Sequence, residues 1–267
     1  MDRHISIGIS VEESIAQIAA FSSPEDLEPI DTVKISTTNC FGVDIKSIVQ
    51  EVVDVRDLYL SEIVGIGLAL PGHLNPTATK LLDDENLTDW VGRPLRSTLK
   101  RAFPGIPVAL GNDAQGRALL EAIANPKLTR KEFILLSMEA GLDAARVIWT
   151  GDQPRALPLE WSSFDMKRDF DVRAPKITDI HWLEKIIPWL VPGVNAVLDA
   201  YPAALIVLSG SIVGINSSLT TRLTEALASQ GCSSTMPEPP VVLKPYHPNM
   251  SAIAGAVRLL CNAGVRV

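Results

Sequence analysis

The sequence predicts an α/β protein of two related domains facing each other across a central cleft. Three observations carry this. Hairpin-like strand pairs followed by strand–helix alternation occur twice along the chain, at its start and again from Phe133. Two of the strands, IVGIGLAL and ALIVLSGSIVG, are continuous apolar runs studded with small residues, the pattern of strands covered on both faces. At 267 residues, with 46% hydrophobic and 21% charged side chains, the chain is long enough and apolar enough for one large or two small cores, and too apolar for disorder.

HISIGIS and SIAQIAAFS alternate as strands and pair around VEES; TVKISTT supplies a third. From Val43 to Leu60 the apolar spacing fits an amphipathic helix. IVGIGLAL is a buried strand ended by the turn Pro71-Gly72. A loop through LTDWVG leads into a helix entered at Pro94. IPVAL is a buried strand, and Asn112 to Ala124 is a helix stopped by Asn125-Pro126. The pattern then restarts. FILLSM and AARVIWTG form a second hairpin, and residues 152–178 are rich in Pro, Asp and Arg with little periodicity. IHWLEKIIPWLVPGVNAVLDAY is helical in pattern, with breaks predicted at Pro188 and Pro192. ALIVLSGSIVG is a strand running into a Gly/Ser turn, SLTTRLTEALASQG a helix, PPVVLKPY a strand and MSAIAGAVRLLCNAG a small-residue helix. The predicted boundary puts residues 1–115 in an N-terminal α/β domain and 116–267 in a C-terminal one, with the last helix packing back on the first.

A net charge of −7 lacks the basic face that phosphate backbones require, so nucleic-acid binding is not expected. Cys40, Cys232 and Cys261 lie far apart, without a Cys-x-x-Cys spacing, which argues against a zinc knuckle or a redox pair and for a reducing compartment. His4, His73, His181 and His247 share no metal-ligand spacing, so no metal is expected. Ser209-Gly210-Ser211 lacks the spacing of a nucleophile elbow. The N-terminus has no signal-peptide run and no segment reaches the ~18 apolar residues of a membrane span. The expectation is a cytoplasmic protein with no membrane partner.

The stretch that carries chemistry is GNDAQGRALLEA. It sets Asn112 and Asp113 at the seam between a buried strand and a helix. Such a pair caps the helix through a side-chain oxygen, or presents a carboxylate and a carboxamide to a polyol; the two roles are compatible.

Four stretches together resemble the ROK family of sugar kinases and repressors, within the actin-like ATPase (ribonuclease H-like) superfamily. They are GIGLALPGHLNP, NLTDWVGRPLRSTL, IPVALGNDAQGRALLEA, and the pair IVLSGSIVG and SAIAGAVRLL. The resemblance implies a two-domain actin-like ATPase fold with a ligand cleft. It implies that Asp113 is the catalytic base that takes the sugar hydroxyl's proton, with Asn112, Gly72, His73, Asn86 and Glu160 contacting a sugar-like ligand. Ser14, Gly141, Gly210 and Ser211 fall at its nucleotide-side positions, and a homodimer is common in the family.

The chain departs from the family at both phosphate loops. The first is an Asp, an apolar residue, two glycines and a threonine, in which bare backbone approaches phosphate and the Asp helps hold Mg²⁺. Here Ser10, Val11, Glu12, Glu13 and Ser14 stand in those places. A glutamate ~5 Å from a phosphate charge at an effective dielectric of ~20 costs roughly 3 kcal/mol. Two such pairs offset most of the ~8 kcal/mol in a micromolar affinity. The second loop, glycine-threonine-glycine in the family, is SMEAGLDAA, keeping Gly141 and adding Glu139 and Asp143. Ser163 falls where a sugar-side His is expected, and no zinc-binding cysteines follow.

The expectation is therefore a kinase-derived protein that has lost ATP-dependent phosphoryl transfer and binds or converts a small ligand near Asp113, with no cofactor and neither ATP nor Mg²⁺ required. The alternative is an active ATP-dependent ROK-type sugar kinase with another phosphate cradle. A repressor is not expected, because the chain opens directly on its first strand.

Overall fold

A computed structural model describes residues 4–12, 14–84, 86–138, 142–159, 180–210, 213, 218–230, 238–246 and 252–262. The first sheet contains β1 (His4–Val11), β2 (Ile15–Phe21), β3 (Asp31–Ser36), β4 (Glu62–Leu70) and β7 (Val108–Asn112), in the order β3-β2-β1-β4-β7. The second contains β8 (Phe133–Met138), β9 (Leu142–Thr150), β10 (Gln153–Leu159), β11 (Leu205–Ser209) and β12 (Val241–Leu243), in the order β10-β9-β8-β11-β12. In each sheet three antiparallel strands are followed by two parallel ones, so both halves repeat one topology. A short ribbon, β5 (His73–Leu74) with β6 (Leu81–Asp83), projects after β4.

Six helices complete the described fold: α1 (Phe41–Tyr59), α2 (Leu95–Ala102), α3 (Asp113–Ala124), α4 (Ile180–Ala200), α5 (Leu219–Gln230) and α6 (Ala252–Asn262). Helices α1 and α2 cover the outer face of the first sheet around Ile7, Ile9, Val52, Leu68 and Leu99. Helices α4 and α5 cover the outer face of the second around Leu136, Ile186, Leu208 and Leu223. Between the sheets lies a third core, in which α3 and α6 meet Phe21 and Ala69 from one side and Phe133, Leu135 and Val147 from the other. The order is helices, sheet, helix pair, sheet, helices.

Strand alternation explains why a helix fits against the inner face of the first sheet. Along β1, Ile5, Ile7, Ile9 and Val11 point outward into the α1 layer, while Ser6, Gly8 and Ser10 take the other face. In β4, Gly65, Gly67 and Ala69 take the inner face. A Cβ on Gly67 would lie 1.9 Å from the Ala256 carbonyl oxygen, and one on Gly8 would lie 2.7 Å from that of Ile253. The backbone of α6 thus rests directly on the sheet. On its other side α6 crosses α3 where Gly255 meets Gly116; a Cβ on Gly255 would fall 2.5 Å from the Gly116 carbonyl carbon. Helix α3, which follows the first sheet in sequence, packs on β8, β9 and β10 of the second, whereas α6, which follows the second, packs on β1, β4 and β7 of the first. The expected boundary at residue 115 therefore runs through α3. Buried Arg258 of α6 donates to the carbonyls of Ala254, Glu25 and Asp26, fastening the β2–β3 loop.

Two elements differ from the sequence reading. Helix α4 is continuous through Pro188 and Pro192. Both prolines are exposed and lie four residues apart on one face, while Ile186, Leu190, Val194 and Val197 are buried. A proline costs a helix one N–H bond, and here the buried apolar face holds the helix together around both. Strand β10 lies inside the stretch read as lacking periodicity. Pro154 and Pro158 obscure it, but among the described residues it is an edge strand paired with β9 alone, where a missing N–H is tolerated. Among the described residues no helix is long and apolar enough to cross a membrane.

The Gly67→Ala variant is expected to lose about 1–3 kcal/mol or more, because its methyl would displace backbone rather than a flexible side chain. Gly42→Ala, in α1 with nothing within 4 Å, is expected to be neutral or to gain up to ~1 kcal/mol. Urea denaturation of the two variants checks both.

Candidate functional site

Strands β4 and β7 are parallel and end level, Leu70 opposite Asn112. The chain leaves β4 through Pro71-Gly72 and leaves β7 directly into α3, so the β5–β6 ribbon, which packs against β7, and the first turn of α3 share one edge of the first sheet.

At that edge Asn112 is the N-cap of α3. Its side-chain oxygen accepts the Gln115 N–H at 2.8 Å, and the Gln115 side-chain oxygen accepts the Asn112 N–H at 3.0 Å, a reciprocal capping box. Asn112 is 4% exposed. The helix-cap reading of this residue is thus the one its oxygen fulfils. Asp113 is the first helical residue, 9% exposed, with its carboxylate at the positive end of the helix.

Gly72 has φ +79, and a Cβ there would lie 2.3 Å from the Asp83 carbonyl oxygen, so the turn requires glycine on both counts. Next to it His73 Nδ1 lies 2.8 Å from Asp83 Oδ1, both side chains about half exposed or more. The Asp84 carboxylate accepts the N–H groups of Asn86 and Leu87 at 2.8 and 2.9 Å, which turns half-buried Asn86 onto the same ribbon. Behind Asn86, Trp90 is fully buried and donates its indole N–H to Asp44 at 3.4 Å. Asp89 accepts from Arg93 and from the Phe41 N–H. The Arg93 bond first, then the Phe41 bond, holds its carboxyl below the usual carboxylate range. These contacts tie the Asn-Leu-Thr-Asp-Trp loop to α1.

The positions expected on the nucleotide side are differently disposed. Ser10 is 1% exposed, with its side chain on the inner face beside Gly8. The β1–β2 turn is closed by Glu12 N–H donating to the Ile15 carbonyl at 2.8 Å, and the Thr37 N–H takes the Ser14 carbonyl at 2.9 Å. Glu12 and Ser14 are exposed at the hairpin tip. Gly210 has φ +106 and abuts the Met138 backbone, 2.3 Å from a would-be Cβ to the Met138 carbonyl oxygen, so strand packing alone demands glycine there. Glu160, Gly141 and Ser211 lie outside the described residues, as does most of the 152–178 stretch. An open groove of about 610 Å³ beside β12, lined by Lys127, Thr220, Lys244 and Tyr246 among others, shares no residue with the Asp113 cluster.

Gln115 and Asp83 were not singled out from sequence. The Asn-x-x-Gln spacing ahead of an apolar helix was the available signal for Gln115. Nothing local announces that Asp83 pairs with His73 ten residues earlier.

The ROK family model matches residues 9–152, more than half of the chain. The chain belongs to the ROK family. Solved structures agree on the fold. A ROK family protein from Streptococcus pneumoniae TIGR4, in complex with sucrose, superposes with a TM-score of 0.72 at 18% identity, covering 97% of this chain and 99% of that one. A ROK family glucokinase from Streptomyces griseus, in complex with glucose and AMPPNP, gives 0.68 at 13% identity, covering 96% and 98%. A ROK family transcriptional regulator, a homolog of the E. coli MLC protein, gives 0.71 at 14% identity, covering 98% of this chain and 78% of that one. No curated protein sequence matches. This ROK-family chain therefore has the actin-like ATPase fold, in the company of both sugar kinases and a regulator.

Loss of the cap in Asn112→Ala is expected to cost about 1 kcal/mol, typical of an N-cap, measured by urea denaturation. Because the folded pKa of Asp89 is depressed, its contribution is complete above the unfolded value of ~3.9 and is lost as pH falls through the folded pKa. Asp89→Asn is expected to flatten the thermal-stability profile below pH ~4 while leaving its shape near neutrality, as read by thermal melts.

Proposed function

We propose that this chain is a ROK-family protein that no longer transfers phosphoryl groups from ATP and uses the edge around Asp113 to bind or convert a small, sugar-like ligand. The observation that carries this reading is the closed β1–β2 turn. Its Glu12 N–H is bound to the Ile15 carbonyl, and the position of the family's magnesium-side Asp holds Ser10, which is 1% exposed. A triphosphate needs several unengaged N–H groups and, for its metal, an accessible carboxylate. Among the described residues of that loop, Ser10, Glu12 and Ser14 do not offer this combination.

The ligand side is better furnished. Asp113 accepts a hydroxyl proton or hydrogen bond, Asn86 offers a carboxamide with both donor and acceptor, and His73, held at Nδ1 by Asp83, offers its other ring nitrogen. This combination suits a polyhydroxylated ligand, and bound sugars in the related sucrose and glucose complexes support the ligand class.

Calorimetry and thermal shift with millimolar Mg·ATP are expected to show neither heat nor stabilisation. In a panel of glucose, sucrose and N-acetylmannosamine without nucleotide, at least one sugar is expected to raise the Tm of the wild type and not of Asp113→Asn. Phosphorylation of a hexose by the purified protein at ordinary kinase rates, ~1–100 s⁻¹, would overturn the reading in favour of an active kinase.

A further inference from the structure

Gln115 does more than complete a helix cap. It is 7% exposed, and besides exchanging two hydrogen bonds with Asn112 its side-chain Nε2 donates to the Ala156 carbonyl at 3.0 Å. Ala156 belongs to β10, the edge strand of the second sheet, and is fully buried. A single carboxamide thus joins the end of β7 in the first sheet, the first turn of α3 and the border of the second sheet. All of its side-chain bonding is directional, and no apolar side chain of similar size reproduces it.

We propose that Gln115 is a positioning residue that makes the placement of Asp113 depend on the arrangement of the two sheets. Asp113 lies between Asn112 and Gln115, so its backbone is set by the capping box. The capping box in turn keeps its geometry only while Gln115 Nε2 reaches the Ala156 carbonyl. A shift of β10 relative to α3 draws on the carboxamide, and because its oxygen and nitrogen are rigidly linked the displacement passes to the Asn112 N–H. This is a physical connection through one planar group, and it gives the second sheet a direct hold on a carboxylate carried by the first. The inference rests on the reading of Asp113 as the ligand-side carboxylate.

Full-length wild type, Gln115→Met and Ile48→Ala are to be compared by amide hydrogen exchange and by the ¹³Cγ resonance of Asp113, assigned through its absence in Asp113→Asn. Gln115→Met keeps the side-chain volume and removes both side-chain hydrogen bonds, while Ile48→Ala destabilises α1 on the far side of the first sheet. The link predicts that in Gln115→Met exchange accelerates about tenfold or more both in the first turn of α3 and in β10, the scale of one lost buried hydrogen bond. It also predicts that the Asp113 resonance moves in Gln115→Met and stays in place in Ile48→Ala. Unchanged β10 exchange in Gln115→Met, an unmoved Asp113 resonance, or the same pattern in Ile48→Ala would each overturn the proposal. Failure of every sugar to stabilise wild type in an Asp113-dependent way would instead remove the ligand reading, while exchange and the resonance would still decide the link.

Discussion

The molecule depends on how closely one helix lies against a sheet. Helix α6 sets its backbone on the inner face of β1 and β4 at a distance that leaves no room for a methyl group at Gly67, and it touches α3 where two glycines face each other. Close approach of this kind maximises dispersion contacts and leaves no voids, but any added atom must displace main chain. Buried Arg258, bonded to three carbonyls, fastens the β2–β3 loop to the same helix.

From that contact the crossed arrangement of the two inner helices follows. Helix α6 closes the first sheet although it comes last in the chain, and α3 leaves the first sheet to pack on the second. The inner face of each sheet is therefore covered by a helix from the other half of the sequence. Asp113 stands at the start of α3, at the junction of the two halves, with the Gly72–His73 turn and Asn86 along the same sheet edge and β10 tied in through Gln115.

Much of this was legible in the sequence, for reasons that are local. Alternation of isoleucine with serine and glycine in HISIGIS marked a strand. IVGIGLAL read as a buried strand with small residues, and Asn112 as a cap of the helix that follows. The misreadings also have local causes. Proline was taken to break α4 and to deny β10, but the apolar face of α4 holds it through both prolines, and β10 is an edge strand. Asn112 was read both as a helix cap and as a ligand contact, and its oxygen makes the cap. His73 was legible as a turn residue beside the cleft, but its partner Asp83 was not, because the β5–β6 register that joins them comes from a shift in the ribbon and not from spacing.

The sequence by itself determined the doubled strand–helix order, the buried strands, the family and the pair of glutamates between β1 and β2, since periodicity, side-chain volume and residue identity are properties of the chain alone. Only the tertiary structure decided what fills the inner face of the first sheet, how the β1–β2 turn uses its own N–H groups, and that Gln115 joins Asn112 to Ala156 beside Asp113. Those outcomes depend on contacts between residues far apart in the chain, as between Gly67 and Ala256 or Gln115 and Ala156, and no local pattern encodes the distance across which such groups are brought together.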